Sequence, residues 1–221
     1  EVLWQFAERE RATFFGTSAR YLHGLQALGY APGKEHDLAA LRTLASTGSP
    51  LSTAGFRYVY QAVKPDVHLA SISGGTDIVG CFMLGVPTKP VYEGQIQGPA
   101  LGVDLAALGE DGETLIGEPG ELVCRNPLPS MPLCFWNDPD FARYREAYLE
   151  SYPGYWRHGD LIEMTEQGGV IVYGRSDATL NPGGVRIGTA EIYRPLEPLP
   201  ELLEAAAVGK KEGGDEVIWL F

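Results

Sequence analysis

The chain has 221 residues, of which 44% are hydrophobic and 21% charged, and its formal net charge is −12. That composition is typical of a globular protein with one large domain or one and a half. The acidic balance argues against nucleic acid and anionic membranes as partners, since both require a basic surface. It leaves open a small anionic ligand held locally by arginines and backbone N–H groups.

The three cysteines, Cys81, Cys124 and Cys134, form no Cys-x-x-Cys pair, and the four histidines show no i, i+4 spacing. An odd cysteine count without zinc spacing favours a reducing compartment, and we predict the cytoplasm. No apolar run approaches the roughly 20 residues of a membrane helix, and no signal peptide is visible. Both ends lie within amphipathic or apolar segments, so we expect an internal piece of a longer enzyme.

The first part of the chain, residues 1–85, alternates helical and strand patterns. Helical spacing of apolar residues predicts helices over Val2–Arg9, Ala19–Leu28 and Thr53–Val63. Short apolar runs predict buried strands over Ala12–Phe15, Leu41–Ala45 and Val67–Ile72. This alternation predicts an α/β fold with a mostly parallel sheet and flanking helices, in which ligands bind beyond the carboxyl ends of the strands.

Residues 86–176 have a different pattern, which predicts short strands separated by glycine and proline turns. The predicted strands are Val91–Glu93, Leu101–Leu105, Gly120–Cys124, Asp160–Met164 and Val170–Tyr173. They predict a small distorted antiparallel β-barrel, interrupted by a helical insert over Asp138–Glu150. Residues 177–221 then predict the start of a small α+β domain, with a helix over Thr189–Leu196 and a strand over Ala205–Val208.

Three polar, glycine-containing loops follow the predicted parallel strands: Phe15-Gly16-Thr17-Ser18, Ser46–Pro50 and Ser73–Asp77. In the third loop, Gly74 and Gly75 allow a backbone to approach a flat ligand closely. Thr76 offers a hydroxyl, and Asp77 a carboxylate that can hold Mg²⁺ beside phosphate oxygens. The alternative is a strand-to-helix turn in which Thr76 or Asp77 caps the helix.

Two later motifs carry chemistry of the same kind. Asp160 follows a tight glycine turn in Tyr155–Asp160, where a carboxylate could accept two ribose hydroxyls. The alternative is an aspartate that caps a hairpin turn. In Gly174–Asp177, Arg175 could bind ribose or phosphate oxygens, and Asp177 falls at the compositional boundary, where it could serve as a hinge. The alternative there is an inter-domain salt bridge.

The loop Gly183-Gly184-Val185-Arg186 can present backbone N–H groups and one guanidinium to an anion. Its alternative is a β-turn before a helix capped at Thr189.

The motifs in this order resemble those of the adenylate-forming acyl-CoA synthetases, over nearly the whole chain. The strongest similarity runs from Tyr173–Asp177 through Gly188–Ile192, followed by Tyr155–Asp160. The resemblance implies a two-step ligase. A carboxylate attacks the α-phosphate of ATP to give acyl-AMP and pyrophosphate, and the thiol of coenzyme A then displaces AMP.

The resemblance also implies roles for individual residues. The adenine and phosphate pocket would be walled by Gly48, Ser49, Pro50, Ser71, Ile72, Ser73, Gly74 and Gly75. Thr76 would contact the α-phosphate, and Asp77 would bind Mg²⁺. Asp160 would hold the ribose hydroxyls with help from Arg175, and Asp177 would be the hinge. The coenzyme A tunnel would be lined by Gly183 and Gly184, and Arg186 would meet the AMP phosphate.

The acid is suggested by a more particular resemblance, to the branch of the family that activates acetoacetate. It rests on Phe14–Ser18, Ser71–Ile78, Pro129–Pro132 and Phe135–Asn137. Phe15, Gly16 and Gly74 would line the acyl pocket. Acetate-activating relatives carry tryptophan where this chain has Gly74, so we expect room for a longer acid.

The family's phosphate loop should lie upstream of Glu1 and its catalytic lysine downstream of Phe221, so we expect the 221 residues alone to be inactive. Three other functions remain open. One is a synthetase for another short or medium-chain acid, and the second is an adenylating enzyme that loads a carrier protein. The third is a nucleotide-binding module without catalysis. The sequence makes no prediction of oligomeric state.

Overall fold

The computed structural model describes residues 2–178, 180, 182, 187–196, 199, 202, 204–212 and 215–221. The chain divides into two compact units. The first comprises Glu1–Val103, Leu128–Met131 and Gln167–Ile171. The second comprises Asp104–Pro127, Pro132–Glu166 and Val172–Phe221.

The first unit contains the predicted parallel sheet. Its helices are α1 (Val2–Arg9), α2 (Ala19–Ala27), α3 (Pro32–Glu35) and α4 (Thr53–Tyr58), the last continued by a π-helical turn over Val59–Val63. Three parallel strands pair in the order β1 (Phe14–Ser18), β2 (Thr43–Thr47) and β3 (His68–Ser71). Gly16 pairs with Ala45, and Ala45 with Ala70. The predicted α/β class is therefore confirmed.

Serine caps and a buried apolar cluster explain where these helices form. The hydroxyl of Ser18 accepts from the backbone N–H of Tyr21 at the start of α2, and the hydroxyl of Ser52 accepts from Gly55 at the start of α4. Each cap satisfies a backbone donor that the first helical turn leaves without a partner. The core of the unit includes the fully buried side chains of Trp4, Leu22, Leu44, Phe56 and Leu69.

A small antiparallel sheet follows the parallel one. Its strands are β4 (Ser73–Gly75), β5 (Gly80–Leu84) and β6 (Gly98–Pro99). The predicted loop Ser73–Asp77 is therefore a strand followed by a tight turn. A Cβ atom at Gly74 would lie 2.6 Å from the Cα of Cys81 and closer still to the carbonyl oxygen of Gly80. The close approach of the two strands requires glycine at this position.

The second unit is built on antiparallel pairing. The five-stranded sheet, whose first strand begins two residues before this unit resumes at Val172, has the order β11 (Val170–Arg175), β10 (Trp156–Met164), β9 (Pro119–Cys124), β7 (Leu105–Leu108) and β8 (Thr114–Leu115). The pairings β10–β9, β9–β7 and β7–β8 are antiparallel. The predicted barrel is corrected to an open sheet with β11 and β8 at its edges, because no pairing among the described residues joins those two strands.

Two predicted strands are wrong. The segment Val91–Glu93 forms no strand and leads into a turn at Gly94, whose φ is +77°. The segment from Leu101 to Asp104 also precedes its strand, because Gly102 takes a φ of +80° and β7 begins at Leu105. At both positions the glycine takes a left-handed turn conformation, which interrupts extended structure despite the apolar residues nearby.

The remaining elements complete the second unit. They are α5 (Ala142–Tyr148), a 3₁₀ turn over Ser176–Ala178, α6 (Thr189–Tyr193), a 3₁₀ turn over Arg194–Leu196, and the antiparallel pair β12 (Ala207–Glu212) and β13 (Asp215–Leu220). The carboxylate of Asp138 accepts from the backbone N–H groups of Arg143 and Tyr144 and so caps α5 within the predicted insert. In the described part of the chain, no helix has the length and apolarity needed to cross a membrane.

Candidate functional site

A cavity of about 350 Å³ lies at the carboxyl ends of the parallel strands in the first unit. Its lining residues are Phe14, Gly16, Thr17, Ser18, Ala45, Thr47, Gly48 and Ile72. The backbone N–H of Ile72 donates to the carbonyl of Ser46 at 2.9 Å, which ties the end of β3 to the end of β2. The fold thereby brings together the predicted residues Gly16, Gly48 and Ile72 where α/β sheets bind ligands.

The aromatic residue that lines this cavity is Phe14, whereas Phe15, predicted for the acyl pocket, is not among its lining residues. The ring of Phe15 stacks on Trp4 with centroids 4.4 Å apart and packs against the core. Phe14 is 60% exposed and lines the cavity. Neighbouring residues of a strand point to opposite faces of the sheet, which places the ring of Phe15 on the core side and leaves that of Phe14 at the cavity. Sequence reasoning missed Phe14 because both phenylalanines fit the same motif.

The segment after β2 carries the next predicted residues. Gly48 takes a φ of +86°, which reverses the chain beyond the strand. Ser49 and Pro50 are exposed and lead directly to the cap of α4 at Ser52. Besides capping α4, the hydroxyl of Ser52 lies 3.0 Å from Nε2 of His23 in α2. This segment is therefore held between the end of one strand and the start of one helix.

The β4–β5 turn presents Thr76 and Asp77. Both are exposed, and the carbonyl of Thr76 accepts from the backbone N–H of Val79, whose φ is +48°. Ser71 is buried at the end of β3, while Ser73 and Gly75 lie in β4. A single accessible carboxylate fits Mg²⁺, which proteins commonly hold through one or two carboxylates together with substrate phosphates and water.

In the second unit, Asp160 lies in an irregular part of β10. Arg157 pairs with Val123 but Leu161 pairs with Glu121, so three residues of β10 lie opposite Leu122 alone. Asp160 is 8% exposed, and its Oδ1 atom lies 3.5 Å from Nη1 of Arg175. Burial raises the pKa of Asp160 to about 6, although the charge of Arg175 opposes the shift.

Arg175 joins Asp160 to the predicted hinge. Its Nε and Nη2 atoms donate to the two carboxylate oxygens of Asp177, each at 3.2 Å, and its Nη1 donates to the carbonyl of His158 at 3.3 Å. The hydrogen bond from Arg175 lowers the pKa of Asp177. Gly159 takes a φ of +85°, and a Cβ there would lie 2.6 Å from Nη2 of Arg175. The predicted residues Asp160, Arg175 and Asp177 thus form one cluster.

A residue that sequence reasoning missed lies beneath this cluster. Glu121 in β9 is 3% exposed, and its Oε1 atom accepts from the backbone N–H of Gly159 at 2.9 Å and from Oγ of Ser176 at 3.0 Å. Nε of Arg157 lies 3.3 Å from the same oxygen. The available signal was an acidic residue between Gly120 and Leu122, inside a strand that is otherwise apolar.

The last three predicted residues, Gly183, Gly184 and Arg186, lie outside the described residues. On either side of them, Leu180 and Ile187 exchange two backbone hydrogen bonds of 2.9 and 2.7 Å. The carboxylate of Glu191 in α6 accepts from the backbone N–H of Gly188 at 2.9 Å.

A parallel sheet with glycine-containing loops at the carboxyl ends of its strands is an arrangement in which α/β proteins bind ligands such as nucleotides. The model of the AMP-binding enzyme family matches residues 1–133. The chain belongs to that family.

The most similar proteins found by sequence include two acetoacetyl-CoA synthetases. That of Rhizobium meliloti (strain 1021) is 54% identical over 220 residues, covering 100% of this chain and 34% of the relative. That of Xenopus tropicalis is 45% identical over 222 residues, covering 100% of this chain and 33% of the relative. The chain therefore spans about a third of the length of the curated relatives it matches.

Solved structures agree with this assignment. An acetoacetyl-CoA synthetase from Streptomyces lividans superposes with a TM-score of 0.86 at 48% identity, covering 94% of this chain and 32% of that one. An anthranilate CoA ligase crystallised with anthranoyl-AMP superposes with a TM-score of 0.78 at 23% identity, over 95% of this chain and 38% of that one. The second similarity is one of fold alone.

Proposed function

We propose that the protein carrying this chain is an AMP-forming acid–thiol ligase. It activates acetoacetate with ATP as an acyl-adenylate and transfers the acyl group to coenzyme A. The observation that carries the proposal is the 54% identity over 220 residues to a protein named acetoacetyl-CoA synthetase. The two clusters of predicted site residues, one in each unit, support it.

The first cluster supplies the proposed nucleotide and acyl pocket. Gly16, Gly48 and Ile72 already line one cavity, and we assign the adenine and phosphate wall to the segments around Gly48–Pro50 and Ser71–Gly75. Thr76 is assigned to the α-phosphate, and Asp77 to Mg²⁺, which would neutralise charge on the phosphate oxygens. The exposure of both side chains on one tight turn supports these roles.

The second cluster supplies the proposed ribose clamp. Asp160 accepts the ribose hydroxyl hydrogen bonds, since a carboxylate can accept from both at once. Arg175 orients that carboxylate from 3.5 Å and also bridges to Asp177, which we assign as the hinge. Gly183, Gly184 and Arg186 keep their assignment to coenzyme A and to the AMP phosphate on resemblance alone.

These residues act by positioning and charge neutralisation. Attack of an acid on the α-phosphate requires the two reactants to be held in line and the developing charge to be stabilised, and it requires no protein nucleophile. A hinge suits the second step because thioester formation takes place in the same pocket after pyrophosphate leaves. In this proposal residues 1–85 and 86–176 belong to the adenylation domain, and residues 177–221 begin a mobile domain.

The setting of the enzyme is part of the same proposal. We assign it to the cytoplasm, with acetoacetate, ATP and coenzyme A as partners and neither nucleic acid nor membrane among them. The three cysteines are free thiols, which suits a reducing compartment. The net charge of −12 is unfavourable for binding polyanions.

The test is acid-dependent exchange of pyrophosphate into ATP by the protein expressed at its full encoded length, with acetoacetate, acetate or no acid. Exchange that is strongest with acetoacetate, followed by thioester formation when coenzyme A is added, is the expected result. Exchange that is strongest with acetate would retain the ligase and refute the proposed acid. Exchange with acetoacetate but no thioester would point to a carrier protein as acceptor, and no exchange with any acid would refute the proposed activity.

A further inference from the structure

The inference concerns Glu121, a buried carboxylate to which the family motifs assign no role. A charged side chain that is 3% exposed is costly unless hydrogen bonds and an opposite charge compensate its desolvation. Here one oxygen, Oε1, is approached by the Gly159 backbone, the Ser176 hydroxyl and the Arg157 guanidinium, at 2.9, 3.0 and 3.3 Å. Glu121, itself in β9, thus contacts two other segments, the β10 strand and the turn that follows β11.

The first of these contacts follows from the irregular pairing of β10. Three residues of β10 lie opposite one residue of β9, so the N–H of Gly159 is displaced from the regular ladder. The side chain of Glu121 accepts that N–H in place of a strand carbonyl. Asp160 is the next residue, so the carboxylate that would bind ribose is held through the amide of its neighbour.

The other contacts fix the segment that follows β11. Ser176 is buried, donates its hydroxyl to Glu121 and accepts from Nη2 of Arg157 at 3.1 Å. It begins the 3₁₀ turn that contains Asp177, and it directly follows Arg175. Glu121 therefore holds the segments on both sides of the Asp160–Arg175–Asp177 cluster.

We propose that Glu121 is a positioning residue for the ribose clamp, holding the β10 bulge and the Ser176–Ala178 turn at the separation that lets Arg175 bridge Asp160 and Asp177. This rests on the proposed ligase function, because the clamp matters only if Asp160 binds the ribose. Glu121 acts through Asp160 and Arg175 and does not touch the substrate.

The test compares Glu121→Gln with Ser176→Ala and a matched control, Glu163→Gln, in the protein expressed at its full encoded length. Glu163 is a half-buried glutamate in β10, beyond the bulge, that accepts a hydrogen bond from Tyr173 Oη at 2.6 Å. The probe is adenosine, which carries the ribose without a phosphate that titrates near neutral pH. Its dissociation constant is measured together with the KM for ATP, the KM for the acid and the urea midpoint.

For Glu121→Gln we expect the adenosine Kd and the ATP KM each to rise by about tenfold, because the amide oxygen still accepts but the negative charge that pairs with Arg157 and strengthens these hydrogen bonds is lost. The KM for the acid should stay within about twofold of the wild-type value, because the acid does not contact the clamp. Ser176→Ala should shift both nucleotide constants in the same direction by a smaller factor, and Glu163→Gln should leave them unchanged.

A purely structural role would lower the urea midpoint of Glu121→Gln and leave the nucleotide constants of its folded fraction at wild-type values, and that result overturns the inference. If Glu121→Gln does not fold, the same measurements on Ser176→Ala test the positioning role in its place. A wild-type protein that neither binds adenosine nor exchanges pyrophosphate refutes the proposed function itself. A wild type that does both while the variants match it refutes only the positioning role.

Discussion

At the scale of single residues, the burial of Asp160 opposes the ionisation that its proposed role in binding ribose requires. As a carboxylate it can accept two hydroxyl hydrogen bonds, but burial beside only one guanidinium raises its pKa to about 6. Ionisation of a buried acid with a raised pKa destabilises the folded state, because the folded protein binds the proton more tightly than the unfolded chain. The same group that would bind ribose therefore lowers stability at neutral pH.

We predict that Asp160→Asn removes this penalty. In the wild type, stability contributed by protonated Asp160 is fully present below the unfolded pKa of 3.8 and is lost as the pH rises to about 6. The free energy of unfolding of the variant relative to wild type should therefore rise by about 3 kcal/mol over that range. Urea denaturation at several pH values measures the difference.

The control for the pH dependence of Asp160→Asn is the variant Asp177→Asn. The hydrogen bond from Arg175 lowers the pKa of Asp177, so its contribution is present at neutral pH and is lost as the pH falls. The relative stability of this variant should change with pH in the opposite sense and by a smaller amount, since Asp177 is exposed. Parallel pH profiles for wild type and Asp160→Asn would contradict the prediction.

There are two explanations for why residue 74 is a glycine. The family comparison suggests that it widens an acyl pocket, while the structure shows that a Cβ there would collide with the backbone of Gly80 and Cys81. We predict that Gly74→Ala lowers the free energy of unfolding by about 1–3 kcal/mol, because the two strands must separate to admit a methyl group.

Gly80→Ala is the matched control for Gly74→Ala. It lies in the same hairpin, and the nearest atom to its added Cβ is the carbonyl oxygen of Ile78 at 3.6 Å, an ordinary contact. Chemical denaturation should give a lower free energy of unfolding for Gly74→Ala than for Gly80→Ala. Equal stability of the two would show that the β4–β5 hairpin adjusts freely, and the pocket explanation of Gly74 would then stand alone.

At the scale of elements, capping residues determine where the helices begin, whereas contacts between strands determine where the strands are irregular. The cap at Ser52 terminates the loop that carries Gly48, and it also reaches His23 of α2. The β10 irregularity and the β4–β5 approach are features of pairing between strands, and each depends on a glycine that a residue of another strand approaches closely.

We predict that Ser52→Ala costs about 1–2 kcal/mol of stability and more than Ser18→Ala does. Both serines cap a helix, at 3.0 and 3.1 Å, but Ser52 is buried and also hydrogen-bonds His23. The urea midpoints of the two variants test this ranking. A larger loss for Ser18→Ala would mean that the contact between Ser52 and His23 contributes nothing.

At the scale of the whole molecule, the proposed function needs a pivot at Asp177. We predict that Asp177→Pro retains acid-dependent pyrophosphate exchange while lowering thioester formation by at least about tenfold, because proline restricts the backbone φ at the hinge. Asp177→Asn, which keeps backbone freedom, should leave the ratio of the two activities unchanged even where the weaker contact with Arg175 raises the KM for ATP. Coupled assays of the two half-reactions measure the ratio, and an equal loss of both in Asp177→Pro would contradict the hinge.

The sequence by itself determined the α/β class, the helices α1, α2 and α4, the parallel strands and the order of the site motifs. Those signals are local, since apolar periodicity, serine caps and glycine loops act within a few residues. It also marked Asp160 and Arg175, which the fold brings within 3.5 Å.

Only the tertiary structure decided which phenylalanine lines the cavity, why Gly74 is glycine, that the second sheet is open, and that Glu121 joins two segments of the clamp. Each of these depends on how strands pair and on contacts between residues of different strands. A shift of one residue in register exchanges the two faces of a strand, and local patterns do not specify that choice.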